Sequence, residues 1–194
     1  MIANDSKGPF FSLILGTLDR PALAMAFVNA LVKQEFQDWE LLIIDQTLSN
    51  SLEKHLSYYN FPSEKIRYFH VNFQGISNAR NYALEFARGR WIGFPDDDCI
   101  YPERLLQQLY ERSFSYPDLD GFSILMTDAE GHFSAGGYMA YDAHLITRNN
   151  LWRSAVSAGI FLKHDAIGNI RFDTKLGVGA NTMWGSGEES DFLL

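Results

Sequence analysis

The sequence predicts an α/β fold, a mainly parallel sheet flanked by helices with a smaller mixed α+β half built onto it. Three observations predict it. Short apolar runs alternate with segments of helical periodicity through the first hundred residues, the pattern of parallel strands joined by right-handed crossovers. Each apolar run ends in polar residues, as strands do where a sheet opens onto a ligand. After about Leu119 the alternation gives way to short apolar runs around a turn signal, which reads as hairpin rather than crossover.

Phe10 to Gly16 is the first buried strand, and Gly16-Thr17-Leu18-Asp19-Arg20 is the polar loop after it. Pro21 suits the first turn of a helix, and Leu23, Phe27, Ala30 and Leu31 recur at helical spacing, so the helix runs to about Lys33. Trp39 to Asp45 is a second strand ending in Asp45-Gln46-Thr47; a helix follows from Ser51 to Tyr59, then a third strand from Ile66 to Val71. Gly75-Ile76-Ser77-Asn78 opens a helix that the spacing of Ile76, Ala79, Ala83 and Ala87 carries to Arg88, with Gly89 as its stop. Arg90 to Phe94 is a fourth strand running straight into Asp96, Asp97 and Asp98, and Pro102 opens the next helix. Beyond it, Gly121 to Thr127 and Phe133 to Tyr138 read as a hairpin joined at Asp128 to Gly131, and Ala158 to Lys163 as another short strand. Gly177, Gly179, Gly185 and Gly187 suggest a flexible loop leading to Glu188-Glu189-Ser190-Asp191. Residues 1–98 and 99–194 form two halves of one continuous domain, and the absence of a helix-stop signal at Leu194 implies that more chain follows.

Bulk properties bound the function. The chain has 194 residues, 46% apolar and 21% charged, which suits one soluble domain with a real core. Its formal net charge is -8. The densest basic group, Arg80, Arg88 and Arg90, is too sparse to follow a phosphate backbone, so nucleic acid is excluded as a partner. One cysteine, Cys99, permits no intramolecular disulfide and fits a reducing compartment. No apolar run has the length of a membrane span, and Met1 to Pro9 lacks the layout of a signal peptide. The expected location is cytoplasmic, with a peripheral position at a membrane left open.

The chemistry gathers where the strands end. Three adjacent carboxylates repel one another and raise one another's pKa. A hard divalent cation relieves that repulsion, and Mg²⁺ or Mn²⁺ prefers oxygen ligands. The spacing of Asp96 and Asp98 lets both reach one centre while Asp97 points away or meets a sugar hydroxyl. The bland reading is an acidic turn capping the helix that Pro102 begins. The strand immediately before the aspartates favours the metal.

The segment Gly75-Ile76-Ser77-Asn78-Ala79-Arg80-Asn81, followed by Ala87-Arg88-Gly89-Arg90-Trp91-Ile92-Gly93-Phe94-Pro95-Asp96-Asp97-Asp98, resembles the family 2 glycosyltransferases with the Rossmann-like GT-A fold. Phe11 to Arg20 resembles that family's opening strand and nucleotide loop, Leu41 to Ser49 its second strand and acidic turn. Phe172-Asp173, Gly177 and Gly185 to Phe192 resemble its late segments, so the likeness runs nearly the whole chain in order. The resemblance implies inverting transfer of a sugar from a nucleotide diphosphate, UDP-sugar favoured, to a saccharide or lipid-linked acceptor in polysaccharide or glycoconjugate biosynthesis. It implies Mn²⁺ or Mg²⁺ held by Asp98 and Asp96. It implies donor contacts from Thr17, Asp19, Arg20, Asp45, Gln46, Asn78, Arg80, Asp96 and Asp97. It assigns the general base to Glu189, with Asp191 and Glu188 as alternatives.

Three departures accompany it: Glu189 stands where the family usually has Asp, Gln46 where a second Asp is common, and Gly16 to Arg20 lacks the frequent P-x-Y-N. Two other functions remain in view at this level. One is a non-catalytic nucleotide-sugar-binding domain. The other is a sugar-nucleotide pyrophosphorylase, which needs a Gly-rich basic loop that Gly16 to Pro21 does not supply. Elsewhere Cys99 reads as a small buried residue and Trp152 as a core residue, Trp184 is open between sugar stacking and core, and the five histidines show no ligand spacing.

Overall fold

The structure is a computed structural model that describes residues 8–49, 51–58, 64–128, 130–132 and 142–194. The elements are β1 (Phe11–Thr17), α1 (Pro21–Leu31), β2 (Trp39–Asp45), α2 (Ser51–Tyr58), β3 (Ile66–His70), α3 (Ile76–Leu84), β4 (Trp91–Gly93), α4 (Leu105–Ser115), β5 (Gly121–Ser123), β6 (Ile160–Lys163), α5 (His164–Ile167) and α6 (Glu188–Phe192). The six strands form one sheet in the order β3-β2-β1-β4-β6-β5. β1 is parallel to β2 and β4, and β2 to β3, whereas β6 is antiparallel to both β4 and β5. The residues after Asp98 thus extend the same sheet with two strands. Among the described residues no helix is long and apolar enough to cross a membrane.

Of the parallel strands, β1, β2 and β4 are buried on both faces, which is why they read in sequence as largely apolar runs, while the edge strand β3 is half-buried. Leu13, Leu15, Leu41 and Ile43 face Phe27, Val28, Leu31 and Leu106 on one side. Ile14, Leu42 and Ile44 face Ala79, Ala83, Phe94 and Phe172 on the other. The alternation follows the two-residue period of the strand. In register, Thr17 lies opposite Asp45 at the carboxyl ends of β1 and β2, and Phe11 lies opposite Trp91 at the amino ends. All polar strand ends therefore share one edge, as the sequence predicts. α1 and α4 are tied by Gln34, buried after α1. Its Nε2 donates to the Pro102 carbonyl at 2.7 Å and its Oε1 accepts the Leu106 N–H at 3.0 Å.

A buried carboxylate fixes the amino edge. Glu40 on β2 is 1% exposed. It accepts from Ser12 Oγ (2.6 Å), from the Arg88 backbone N–H (2.8 Å) and Nε (2.9 Å), and from Arg67 Nη1 (3.2 Å). β1, β2, β3 and the approach to β4 all meet on this one side chain. Gly89 completes the junction, since a Cβ there would lie 2.4 Å from the Ser12 nitrogen.

This junction explains where the structure differs from the sequence reading. The periodicity of Ile76 to Ala87 predicts a helix to Arg88, but α3 ends at Leu84, and Phe86 and Ala87 fold back onto the Ala83 carbonyl. Glu40 and Ser12 take the Arg88 and Gly89 N–H groups out of helical register. Other boundaries shift as well. β4 keeps only Trp91–Gly93 of the predicted Arg90–Phe94, because the chain turns at Pro95 toward the aspartates. The helix after Pro102 begins at Leu105, following a turn closed by Leu105 N–H on the Pro102 carbonyl. β5 is Gly121–Ser123 rather than Gly121 to Thr127. The predicted strand Phe133 to Tyr138 lies outside the described residues.

Replacing Glu40 with Ala strands the donors of Ser12 and Arg88 and is expected to cost about 3 kcal/mol, read as a fall of roughly 10 °C in the thermal midpoint. The native chain carries a pH signature of the same contact. Burial pushes the Glu40 carboxyl up, but the bonds from Arg88, Ser12 and Arg67 outweigh it and hold the pKa below its ordinary value of 4.5. A lowered folded pKa contributes stability that is present above the unfolded value and lost as pH falls below it. Native protein is therefore expected to lose this stability on acidification below about 4.5, and the Ala variant to show a flatter acid limb in urea titrations.

Candidate active site

The loop after β1 and the aspartates after β4 are joined directly. Thr17, at the last position of β1, donates from Oγ1 to Asp97 Oδ2 at 2.7 Å. Arg20 Nη1 reaches Asp97 Oδ1 at 3.1 Å and Asp98 Oδ2 at 3.4 Å. Asp97 is thereby buried and spoken for, while the Asp98 side chain is 60% exposed at the mouth of the cleft. Of the three carboxylates Asp97 ties the loops together and Asp98 faces outward. The sequence reading left Asp97 pointing away or meeting a sugar; the structure turns it inward.

Asp45 is fully buried at the end of β2. Its Oδ1 accepts the Thr47 N–H at 2.9 Å and its Oδ2 accepts the Tyr68 hydroxyl at 2.8 Å. Burial and then the Asp45 carboxylate push the Tyr68 hydroxyl pKa well up, so Tyr68 remains a donor. Thr47 passes the constraint on, accepting the Asp19 N–H at 2.8 Å. Asp19 is held at φ 56°, a left-handed backbone that few residues other than glycine adopt. Gln46 is buried between these turns, with its Oε1 lacking a hydrogen-bond partner among the described residues. Asn78 is half-buried at the start of α3 and donates to the Gln74 carbonyl at 2.8 Å.

Arg80 is the interior link of the site. It is 1% exposed, with Nη1 3.1 Å from Glu188 Oε1 and Nη2 3.2 Å from Asp96 Oδ1. Its guanidinium lies 5.3 Å from the Phe172 ring centroid and 5.9 Å from that of Phe94, within cation–π reach. Arg80 is therefore neither solvated nor paired with Glu85 of the same segment, which pairs with Arg171 at 2.6 Å. Ser157 Oγ donates to the other Asp96 oxygen at 3.3 Å. Burial pushes the Asp96 carboxyl up, and Arg80 opposes that only in part.

The late acidic segment arrives through glycine. Gly177 has φ 93°, and a Cβ there would lie 2.7 Å from Ile76 Cγ2 and 3.0 Å from Glu188 Oε2. The loop is docked rather than loose at this point, with Ile76 N–H on the Val178 carbonyl and Ser77 Oγ on that of Leu176. Gly187, at φ 95°, turns the chain into α6. The Phe192 ring stacks on that of Phe172 with centroids 3.9 Å apart and planes 3° apart. The three candidate bases separate by environment. Glu188 is buried on Arg80, Asp191 is exposed, and Glu189 is half-buried. Burial, with the nearby Glu188 charge, pushes the Glu189 carboxyl above its ordinary value.

Sequence reasoning missed Ser157, Tyr68 and Thr47, because single hydroxyls carry no motif. It also placed Trp152 in the core, yet Trp152 is 62% exposed, as is Trp184 at 60%. Trp152 follows a segment without helical or strand periodicity, so nothing local fixed its face. Cys99 is buried as expected, its thiol pushed up to about 12 by burial and so inert at neutral pH. Asp128, Glu130 and His132 offer ligand atoms within 4.8 Å of one another. Their proximity follows from an Asp128 turn accepting the Glu130 and His132 N–H groups, all on the surface.

The chain belongs to glycosyl transferase family 2, whose sequence profile matches residues 12–154. It is 24% identical over 184 residues to the GalNAc(5)-diNAcBac-PP-undecaprenol beta-1,3-glucosyltransferase of Campylobacter jejuni, across 91% of this chain and 59% of that protein. Its backbone matches that of S. aureus TarS 1-349 in complex with UDP-GlcNAc with a TM-score of 0.73 at 20% identity, covering 94% of this chain and 51% of the other. The mannosyltransferase PcManGT from Pyrobaculum calidifontis, in complex with GDP-Man and Mn²⁺, matches with a TM-score of 0.63 at 13% identity, covering 89% and 50%. These structural likenesses establish the GT-A fold. The chain spans about half the length, or less, of the curated relatives and solved chains it matches.

Arg80→Met keeps the length of the side chain and leaves Asp96 and Glu188 without their shared cation. The loss is expected to be about 3–5 kcal/mol, measured as a lower urea midpoint. A change below about 1 kcal/mol would show that the carboxylates find other partners.

Proposed function

We propose that the chain is the catalytic domain of a metal-dependent, inverting glycosyltransferase. It moves a sugar from a nucleotide-diphosphate donor, UDP-sugar favoured, to a hydroxyl of a saccharide or lipid-linked acceptor during polysaccharide or glycoconjugate assembly. One observation carries this reading. Arg80 joins the aspartate that follows β4 to the glutamate beside Glu189, so the carboxylates suited to a donor diphosphate and the carboxylate suited to a base belong to a single site. The UDP-GlcNAc complex of TarS and the undecaprenol-linked acceptor named for the Campylobacter enzyme support the donor and acceptor classes. A lipid-linked acceptor would place the enzyme at a membrane surface, peripherally and from the cytoplasm.

The donor set fits Mn²⁺ or Mg²⁺. Its ligand atoms are hard carboxylate oxygens, and Asp98 meets only one long contact from a half-exposed Arg20. Asp98 would hold the cation with Asp96 as second ligand. Once bound, it would offset the charge that develops on the departing diphosphate. The chain's own residues do the rest. Asp45, Gln46, Thr17 and Asp19 shape the nucleoside end. Glu189 takes the proton of the acceptor hydroxyl as that oxygen attacks the anomeric carbon from the face opposite the leaving group.

Calorimetric titration of UDP into the chain should show binding that strengthens with Mn²⁺, and Asp98→Ala should remove the metal dependence while leaving the fold intact. UDP binding indifferent to Mn²⁺ in the native chain would sink the metal assignment. In the full-length enzyme, Glu189→Gln should retain donor affinity and lower kcat by at least about 100-fold. A base must be deprotonated to act, so the raised Glu189 pKa puts the acid limb of the kcat/KM profile above the ordinary glutamate value of 4.5. Retained turnover in Glu189→Gln would move the base to another carboxylate.

A further inference from the structure

The opposite edge of the sheet carries a second charged feature that donor chemistry does not use. A cavity of about 240 Å³ opens beside the amino end of β4, lined by Arg88, Arg90, Lys163, His164 and Asp165 among others. Its placement follows from topology. β6 is antiparallel to β4 and Trp91 lies opposite Lys163, so the end of β6 meets the start of β4. Arg88 and Arg90 are thereby joined by Lys163 and His164, which lie far along the chain. What is a sparse basic group in sequence becomes a concentrated one in space. Trp91 also lies opposite Phe11, six residues before Thr17. At about 3.3 Å per strand residue, the cavity sits roughly 20 Å from the donor edge.

Two of the cations have no carboxylate partner among the described residues, and their positions are partly pre-set. Among the described residues neither Arg90 nor Lys163 pairs with a carboxylate. Arg90 is packed over the Phe10 ring with its guanidinium carbon 5.3 Å from the centroid. Lys163 Nζ donates one of its three hydrogens to the Pro117 carbonyl at 2.6 Å, which fixes the ammonium and leaves two. His164 Nδ1 lies 3.0 Å from the Gly89 carbonyl. That nitrogen is the donor, so Nε2 accepts the hydrogen of a protonated phosphate oxygen in the neutral ring and donates to an anion in the imidazolium. Arg88 is anchored on the buried Glu40. The opposing charges are Glu40, bonded to Arg88, and Asp165 in the lining. In a chain of formal net charge -8, such a local excess of cation marks a place for an anion.

From this geometry we propose that the cavity is a phosphate-group binding site, distinct from the donor site and served by Arg90, Lys163 and His164. Its volume lies below the roughly 300–1,000 Å³ of pockets that take a whole small molecule. It therefore holds the phosphate group of its ligand, with the remainder of that ligand outside. Tetrahedral oxyanions suit a set of hydrogen-bonding groups converging from an arginine, a lysine and an imidazole. Free phosphate and the headgroup of an anionic phospholipid present the same chemistry to it.

The test is a titration of the ¹⁵N-labelled chain with inorganic phosphate, against chloride at matched ionic strength, following the backbone amides of Gly89, Arg90 and His164. Saturable shifts confined to this edge are expected. The double variant Arg90→Gln with Lys163→Gln should weaken binding by roughly tenfold or more, and Asp165→Asn should tighten it about two- to threefold. Shifts that chloride reproduces, that never saturate, or that persist unchanged in the double variant overturn the site. Should the double variant unfold, Asp165→Asn decides alone, and no tightening overturns the proposal. Co-sedimentation with phosphatidylcholine vesicles, with and without phosphatidic acid, then assigns the source. Binding to the acidic vesicles that is lost in the double variant identifies a lipid headgroup, and phosphate binding without vesicle binding identifies a soluble phosphate. Vesicle binding with no phosphate shifts overturns the pocket in favour of a diffuse surface field.

Discussion

The site hangs on one desolvated guanidinium. Taking Arg80 out of water costs several kcal/mol, and nearby charge repays this only where geometry is good and the donors are used. Here Nη1 and Nη2 go to Glu188 and Asp96, 108 and 16 positions along the chain, while Nε has no partner among the described residues. Removing Arg80 leaves both carboxylates without their shared cation. The arrangement forces the loop after β4 and the start of α6 into a single relative position. Ser157, from the second half, adds a hydroxyl to the same carboxylate. The loop after β4 and the start of α6 are thus brought together by a guanidinium that is itself 1% exposed.

A second, independent junction holds the other edge. Glu40 collects Ser12, Arg67 and Arg88 in the way Arg80 collects its carboxylates, with the charges inverted. The sheet between them is apolar on both faces and contributes most of the burial. Each fully buried aliphatic side chain adds about 1.5–3 kcal/mol. Register along the strands is fixed by that apolar packing, while the polar junctions at the two ends fix where the chain may leave a strand. The carboxyl edge is left with an exposed acid at Asp98, and at the amino edge Arg90 and Lys163 have no carboxylate partner among the described residues.

Much of this was legible in sequence. Parallel strands announce themselves as largely apolar runs, so β1, β2 and β3 lie within one or two residues of their predicted limits, and the common edge of Thr17, Asp45 and Asp96 follows from parallel order alone. The end of α3 was not legible, because Glu40 and Ser12 decide it from a distance and helical periodicity continues through Ala87. Arg80 has the spacing of an ordinary helical arginine, and its burial depends on two carboxylates that no local pattern points to. Asp97 turned inward for the same reason, drawn by Thr17 from 80 positions away. The meeting of Lys163 with Arg90 required knowing that β6 inserts antiparallel beside β4. Motif, in short, conveyed which residues matter and tertiary contact conveyed what each one does.

The aromatic packing beneath α6 has a consequence of its own. That helix has five residues, too few to stand by itself in water. It rests on the face of Phe172, with Phe94 meeting both rings edge-on at 5.2 and 5.9 Å. The carboxylate above is aimed by the thickness and tilt of three hydrocarbon plates rather than by its own backbone. In the proposed reaction, the reach of Glu189 toward the incoming hydroxyl would then be a mechanical setting, adjustable from below by swapping ring for aliphatic bulk while every charge stays where it is. Descent with altered acceptor size needs no new acid or base on such a platform, only shims.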